Sequence, residues 1–101
     1  MKILFNCSVN VVGGAVQNAA NFIKYAALNN DHEFIFIVSP AVNEVLEKWV
    51  IRPLNLHVLE SPARSKASRT FIRALEVKFQ PNIVYTMAGP TYVKFKTLHV
   101  M

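Results

Sequence analysis

The sequence predicts an α/β domain built on a mainly parallel sheet, and two features of the chain support this. Short apolar runs of strand length alternate with longer segments whose apolar residues recur every three or four positions, as on one face of a helix. Proline, glycine and asparagine fall between these segments, where turns are expected. With 101 residues, of which 52% are apolar and 17% charged, the chain is expected to fold as one globular domain.

The strands are predicted from runs that are almost entirely apolar, because a strand that is covered on both faces has few polar positions. Phe34-Ile35-Phe36-Ile37-Val38 is the clearest of these runs. The predicted strands are 2–9, 33–38, 54–59 and 82–87, followed by a fifth strand within 92–101.

Three helices are predicted between the first four strands. The first covers 14–28 and has mostly alanine on its buried side. The second begins at Ser39-Pro40, a capping residue followed by proline at the first helical position, and is closed by Pro53. Its apolar stripe places Trp49 in the core. The third helix covers 66–79.

Alternating strands and helices, joined by right-handed crossovers, predict a Rossmann-like, three-layer α/β/α fold with strand order 3-2-1-4-5. In this order a ligand crevice forms at the carboxyl ends of the first and fourth strands. The two loops beside that crevice contain Gly13 and Gly14, and Gly89. We expect these glycines to bring backbone N–H groups close to an anionic ligand; the alternative is that they only shape the turns.

Several familiar catalytic and phosphate-binding motifs are absent from the sequence. The dinucleotide motif G-x-G-x-x-G is missing, and Ser39-Pro40 stands where a nicotinamide-binding enzyme carries an acidic residue. The phosphate loop, the G-x-S-x-G elbow and any Cys/His cluster with metal-ligand spacing are missing too. His57 has no evident catalytic partner and is predicted to be a partly exposed strand residue. His99 is predicted to be structural, and the alternative is a position near a ligand. The catalytic residues are therefore unknown, and we expect neither a metal nor a bound cofactor.

The cysteine content and the apolar runs predict a cytoplasmic protein. Cys7 is the single cysteine and lies in a predicted strand, so it is expected to be a buried thiol in a reducing compartment. No apolar run approaches the roughly 20 residues that a membrane-spanning helix needs, and the N-terminal run is too short for a signal peptide. The net charge of +5 favours anionic partners without identifying one.

Four segments of the chain carry a resemblance to a known family through their order and spacing. They are Met1-Lys2-Ile3-Leu4-Phe5, Gly13-Gly14-Ala15-Val16-Gln17, Asp31-His32-Glu33-Phe34 and Gln80-Pro81-Asn82-Ile83-Val84-Tyr85. Together they resemble the N-terminal domain of retaining GT-B glycosyltransferases of the large family 4, also called group 1. Each segment alone is weakly specific, but the four together span most of the chain.

The resemblance implies a two-domain enzyme that transfers a sugar to a hydroxyl of a glycan or lipid acceptor. The donor would be a nucleotide-sugar, which is a co-substrate, and a metal is usually not required. This chain would be the acceptor-side domain. Gly13 and Gly14 would lie near the donor diphosphate, with Gln17 on the first helical turn behind them. Gly89 and Thr91 lie in the predicted turn after the fourth strand, and the strand order, rather than the resemblance, predicts that they border the same cleft.

The chain departs from the family pattern at three positions and in its length. Gln17 stands where an acidic residue is frequent, Asn82 where aspartate is frequent, and Asp31 where glycine is usual. The N-terminal domain of the family is longer, and the paired-glutamate motif of its donor domain is absent here. We therefore expect residues 1–101 to be a truncated N-terminal domain that is inactive alone.

Three basic residues of the third predicted helix, Lys66, Arg69 and Arg73, share one face by their spacing. One interpretation is an ordinary solvated surface. The other, which follows the resemblance, is contact with an anionic acceptor or with anionic lipid at the inner face of a membrane. Nucleic acid is disfavoured, because no recognition motif is present and no aromatic residues alternate with these charges.

Two further functions remain open from the residues alone. A free-standing module that binds a nucleotide or another anion without catalysis would use the same glycine loop. A basic interaction domain would use the charged helix face instead.

Overall fold

The computed structural model of the protein describes residues 1–28, 31–87 and 92–100, and these residues form five strands and three helices. The strands are β1 (Lys2–Cys7), β2 (Glu33–Val38), β3 (Leu56–Val58), β4 (Ile83–Thr86) and β5 (Leu98–Val100). The helices are α1 (Gly13–Ala27), α2 (Pro40–Lys48) and α3 (Lys66–Phe79). The predicted order of elements is confirmed, and β2 and α3 have the predicted boundaries.

The five strands form one parallel sheet in the order β3-β2-β1-β4-β5, which confirms the predicted topology. β1 lies in the middle, and its Phe5 pairs with Phe36 of β2 on one side and with Tyr85 of β4 on the other. After β1 the chain adds β2 and β3 on one side of it, and then crosses over to add β4 and β5 on the other side. The carboxyl ends of β1 and β4 therefore form the switch point at which such folds bind ligands.

Alternate residues of β1 belong to two separate apolar cores. Phe5 and Cys7 pack with the alanine-rich face of α1 and with α2, whereas Leu4 packs with the α3 side. The ring of Phe5 lies 4.2 Å from that of Phe22 on α1, measured between centroids. Burial raises the pKa of the Cys7 thiol to about 12, which agrees with the predicted inert, buried cysteine.

The side-chain caps of α2 and α3 follow from the sequence. Ser39 accepts a hydrogen bond from the Val42 N–H at 3.2 Å, and Pro40 occupies the first helical turn. Ser65 caps α3 in the same way through the Ser68 N–H. Serine suits these positions because its oxygen satisfies an N–H group that has no partner within the helix.

The structure corrects the predicted core position of Trp49. This residue is 39% exposed, because α2 ends at Lys48 and the chain turns away at Val50, whose φ is 56°. The apolar stripe of a helix faces the core only while the helix continues. The Trp49 ring lies outside the core instead, with the Lys24 ammonium 6.0 Å from its centroid.

Candidate functional site

The loop that follows β1 lies at the carboxyl edge of the sheet, and hydrogen bonds join it to the residues that follow β2 and β4. The Ser39 hydroxyl, just after β2, donates to the Asn10 carbonyl at 2.6 Å. The Asn10 side-chain amide donates to the carbonyl of Met87, just after β4, at 3.1 Å. These bonds hold the loop at the switch point of the sheet.

The two glycines at the end of this loop have different structural requirements. Gly13 has a φ of +64°, a backbone conformation that residues with a Cβ rarely adopt. Gly14 has no such constraint, and a Cβ built at either glycine would meet no heavy atom within 4 Å. Gly13 is therefore needed by the fold, whereas the chain itself gives no reason for glycine at position 14.

Within the described residues, no side chain caps the N-terminus of α1. The N-cap residue is Val12, which makes no side-chain cap hydrogen bond, and the first turn contains no acidic residue. Gly13 and Gly14 are both exposed. The first N–H groups of α1 therefore face outward with the positive end of the helix dipole behind them, an arrangement that favours an anion.

A layer of buried polar side chains lies at the same edge of the sheet. Seven polar or charged residues of the described chain are buried, and five of them occupy the carboxyl ends of β1, β2 and β4 or the loop after β1. These five are Asn6, Ser8, Asn10, Ser39 and Thr86. Because a buried polar group is costly unless it is hydrogen-bonded, this layer is held by specific bonds rather than by apolar packing.

Four side chains on the α3 side of the sheet form a chain of hydrogen bonds that leads from the loop to β5. The Ser8 hydroxyl donates to Asn6 Oδ1 at 2.6 Å, and Asn6 Nδ2 makes a long bond of 3.5 Å to Thr86 Oγ1. Thr86 Oγ1 lies 2.6 Å from Nε2 of His99. The register of the sheet aligns these residues, since Asn6 pairs with Thr86.

The environment of His99 favours its neutral form. Burial lowers the pKa of His99, and the Glu76 carboxylate raises it by a smaller amount. We therefore assign Nε2 as the acceptor of the Thr86 hydroxyl, with the ring proton on Nδ1. The Phe95 ring lies edge-on to the imidazole at a centroid distance of 4.8 Å. The prediction that His99 is structural agrees with these contacts.

Glu76 is a buried carboxylate on α3 and fixes the segment that leads into β5. Its Oε2 accepts the backbone N–H groups of Lys96 at 3.0 Å and Thr97 at 2.9 Å. Glu76 is 7% exposed. Two N–H donors to one carboxylate oxygen supply the hydrogen bonds that such a buried charge requires.

The structure brings together only part of the predicted site. Gly13 and Gly14 lie at the switch point as expected, and Gln17 is exposed on α1, one turn after the glycines. Gly89 and Thr91 lie outside the described residues. Met87, just after β4, accepts a hydrogen bond from Asn10 of the loop, so the described part of the chain after that strand does reach the site.

The three basic residues that the sequence places on one face of α3 are not all fully exposed. Lys66 and Arg73 are exposed, whereas Arg69 is half-buried and its Nε donates to the Ser65 carbonyl at 3.4 Å. Because α3 follows β3 and runs back across the sheet, its first turn lies at the same carboxyl edge as the glycine loop. Lys66 and Arg69 thus add positive charge to that edge, and Arg73 lies one turn further away.

Sequence reasoning missed the buried polar layer. The signal was present, because Asn6, Ser8 and Thr86 interrupt or follow runs that are otherwise apolar. A polar residue at the carboxyl end of a buried parallel strand is a more specific indication of a ligand site than a glycine, because glycine is common in any turn.

Other site types have no support in the described part of the chain. There, no three His, Cys, Asp or Glu side chains lie close enough together to hold a metal ion. None of the described helices combines the length and apolar character needed to span a bilayer.

A wide cleft of about 780 Å³ lies at the opposite, amino edge of the sheet. Its walls come from the last turn of α1, the start of β2 and the segment between α2 and β3. The charged residues that line it have both signs: Lys24, Asp31, Glu33 and Arg52. Despite its size we do not place the site there, because the buried polar layer and the uncapped helix are at the carboxyl edge.

Comparison with protein-family models, with curated protein sequences and with solved structures returned no match to this chain.

Proposed function

We propose that the carboxyl edge of the sheet binds the diphosphate of a nucleotide-sugar, and that the chain forms the acceptor-side domain of a glycosyltransferase. One observation carries the proposal: the uncapped N-terminus of α1 lies at the β1–β4 switch point, with Gly13 and Gly14 exposed. The choice of donor follows the resemblance of the sequence to GT-B enzymes.

The diphosphate would be held mainly by backbone N–H groups. The first three or four N–H groups of a helix lack partners within the helix, and the dipole adds about half a positive charge at this end. The open space at Gly14 lets an oxyanion approach the backbone closely. Lys66 and Arg69 supply further positive charge along the same edge.

The buried polar layer would keep this loop in place while the ligand binds. Asn10 and Ser39 bond the loop to the ends of β4 and β2, so the N–H groups are already oriented before a ligand arrives. Preorganised donors stabilise negative charge more strongly than donors that must reorient. The role proposed for this chain is therefore to bind and orient the donor, and we assign it no proton transfer.

The test is a backbone-amide NMR titration of the chain with UDP, GDP, pyrophosphate and uridine. We expect the three diphosphate-containing compounds to shift the amide resonances of residues 13–16, and uridine to leave them unchanged. If none of the three shifts these amides, the proposed site is wrong.

Gly14→Val adds a side chain where a diphosphate would approach, and it should weaken UDP binding at least tenfold. The matched control is Asn21→Val, which adds the same side chain to an exposed position two turns further along α1. Equal affinities for Gly14→Val and Asn21→Val would show that the ligand does not approach the glycine backbone.

A further inference from the structure

A second, smaller cleft lies between the end of α3 and the amino ends of the strands, away from the glycine loop. Its volume is about 280 Å³, close to the lower end of the usual range for small-ligand sites. It is lined by Lys2, Ile35, Asn55, His57, Leu75, Lys78 and Phe79. The three ionisable residues among these are all bases, and the lining contains no carboxylate.

Lys2 is exposed, but contacts within the chain fix its position. Its backbone N–H donates to Asn82 Oδ1 at 2.7 Å, and its carbonyl accepts from the Asn82 N–H at 2.8 Å. Its ammonium lies 3.4 Å from the Phe79 carbonyl oxygen and 5.5 Å from the centroid of the Phe79 ring. These contacts hold the cation at the end of α3, beside the cleft.

His57 and Lys78 complete the basic cluster from two other elements. His57 is a half-buried residue of β3, and its ring contacts Phe71 of α3 at a centroid distance of 5.8 Å. Burial lowers the pKa of His57, and the positive charge of Lys78 lowers it further. Burial is therefore the main reason that the imidazole stays neutral, and an anion in the cleft would offset the smaller contribution of Lys78.

We infer that this cleft is a binding site for a small oxyanion, formed by Lys2, His57 and Lys78. The apolar side chains of Ile35, Leu75 and Phe79 line the same space, beside the exposed residues Lys2 and Lys78. Glu33, the β2 partner of Lys2, shares the α3 face of the sheet with Lys2 and Ile35, but it lines the wide cleft and not this one. This site is independent of the glycine loop and of any glycosyltransferase activity.

Binding would be linked to protonation of His57. An anion favours the protonated ring, so it raises the pKa of His57, and a lower pH must strengthen anion binding by the same factor. A rise of about 0.5–1 pKa unit corresponds to about 3- to 10-fold tighter binding to the protonated form.

The test uses sulfate as the probe, because its charge is constant over the pH range of a histidine titration. The ring resonances of His32, His57 and His99 are followed by NMR in sodium sulfate and in sodium chloride at equal ionic strength. We expect sulfate to raise the pKa of His57 by about 0.5–1 unit and to leave His32 and His99 unchanged. An equal change at all three histidines, or none at His57, would overturn the inference.

Variants that remove a positive charge distinguish specific sulfate binding in the cleft from general screening of charges by salt. In chloride, Lys78→Ala should raise the pKa of His57, because it removes a positive neighbour. In sulfate, the additional rise should be reduced in Lys78→Ala and abolished when Lys2→Ala is combined with it. Lys48→Ala, which removes the same charge from the exposed end of α2 on the other face of the sheet, is the control and should behave as the unmodified chain. An undiminished sulfate effect in the double variant would contradict the site.

Discussion

At the residue scale, the two adjacent glycines illustrate the difference between a conformational and a functional requirement. Gly13 is fixed by its φ of +64°, and this alone accounts for glycine there. Gly14 lies in open space with an ordinary φ, so its lack of a side chain is unexplained by the fold. The proposed ligand would supply the missing reason.

Alanine substitutions at the two glycines should therefore affect stability in opposite ways. Gly13→Ala should reduce the free energy of unfolding by about 1–2 kcal/mol, because the left-handed conformation is strained for a residue with a Cβ. Gly14→Ala should leave it unchanged or raise it by up to about 1 kcal/mol, because alanine has less backbone freedom to lose. Urea denaturation of the two variants measures both effects. A destabilised Gly14→Ala variant would show that position 14 has a structural role after all.

At the element scale, β5 depends on side chains from elsewhere in the chain. It has only three residues, and Leu98 is 68% exposed, so apolar burial alone does little to hold it. Glu76 of α3 binds the preceding backbone at Lys96 and Thr97, and Thr86 of β4 binds His99 within the strand.

Removing the charge of Glu76 should loosen β5 without disturbing the rest of the sheet. Glu76→Gln keeps the size of the side chain but replaces charge-assisted hydrogen bonds with neutral ones, and should cost about 1–2 kcal/mol. Hydrogen exchange at the amides of Lys96 and Thr97 should accelerate, while exchange in β1 and β2 stays slow. Glu60→Gln, at an exposed position, is the matched control. Unchanged protection at 96 and 97 would mean that Glu76 does not hold this segment.

At the scale of the whole molecule, the sheet is covered unevenly. On the side of α1 and α2 the outer strand β5 presents Leu98 and Val100, which are 68% and 38% exposed. On the other side, α3 and the segment before β5 cover the sheet, and Val93 is buried there. The histidines on this α3 side link the stability of the whole sheet to pH.

Stability should fall as the pH drops below the ordinary histidine pKa. His57 and His99 both have a lowered pKa in the folded protein, so the unfolded chain binds protons first as the pH falls. At pH values well above about 6.5, both histidines are neutral in the folded and in the unfolded chain, so they no longer make the free energy of unfolding depend on pH. Between that value and the lower pKa values of the folded state, the free energy of unfolding should decrease with decreasing pH.

The contribution of His99 can be isolated by substitution. His99→Gln keeps a group that can accept from Thr86 but does not titrate, so the loss of stability between pH 7 and pH 5 should be smaller than in the unmodified chain. His32→Gln removes an exposed histidine and is the control. The measurement is thermal or urea unfolding at both pH values. An equal pH dependence in His99→Gln and the unmodified chain would rule out this role for His99.

Much of the fold could be predicted from local patterns in the sequence. The apolar run that ends at Val38, the cap at Ser39 and the periodicity of α3 each identify an element by nearby residues alone. The strand order followed from element order and crossover handedness. Trp49 was misplaced because the end of α2 depends on the left-handed turn at Val50, which no adjacent glycine indicates.

The candidate site was predicted only at its glycines. Asn6 and Thr86 are 80 residues apart in the chain, and Thr86 and His99 belong to different strands, so their hydrogen bonds exist only once the parallel register is set. The same holds for Lys2 and Lys78, which belong to β1 and α3 and line one cleft from distant parts of the chain.

By itself, the sequence determined the elements, their order and the position of the glycine loop, because these depend on periodicity, capping and turn chemistry over a few residues. The tertiary structure alone decided which polar side chains meet at the carboxyl edge, which cations meet beside His57 and how Glu76 holds the last strand. The physical reason is that a parallel sheet pairs distant segments, and only that pairing sets the distances between their side chains.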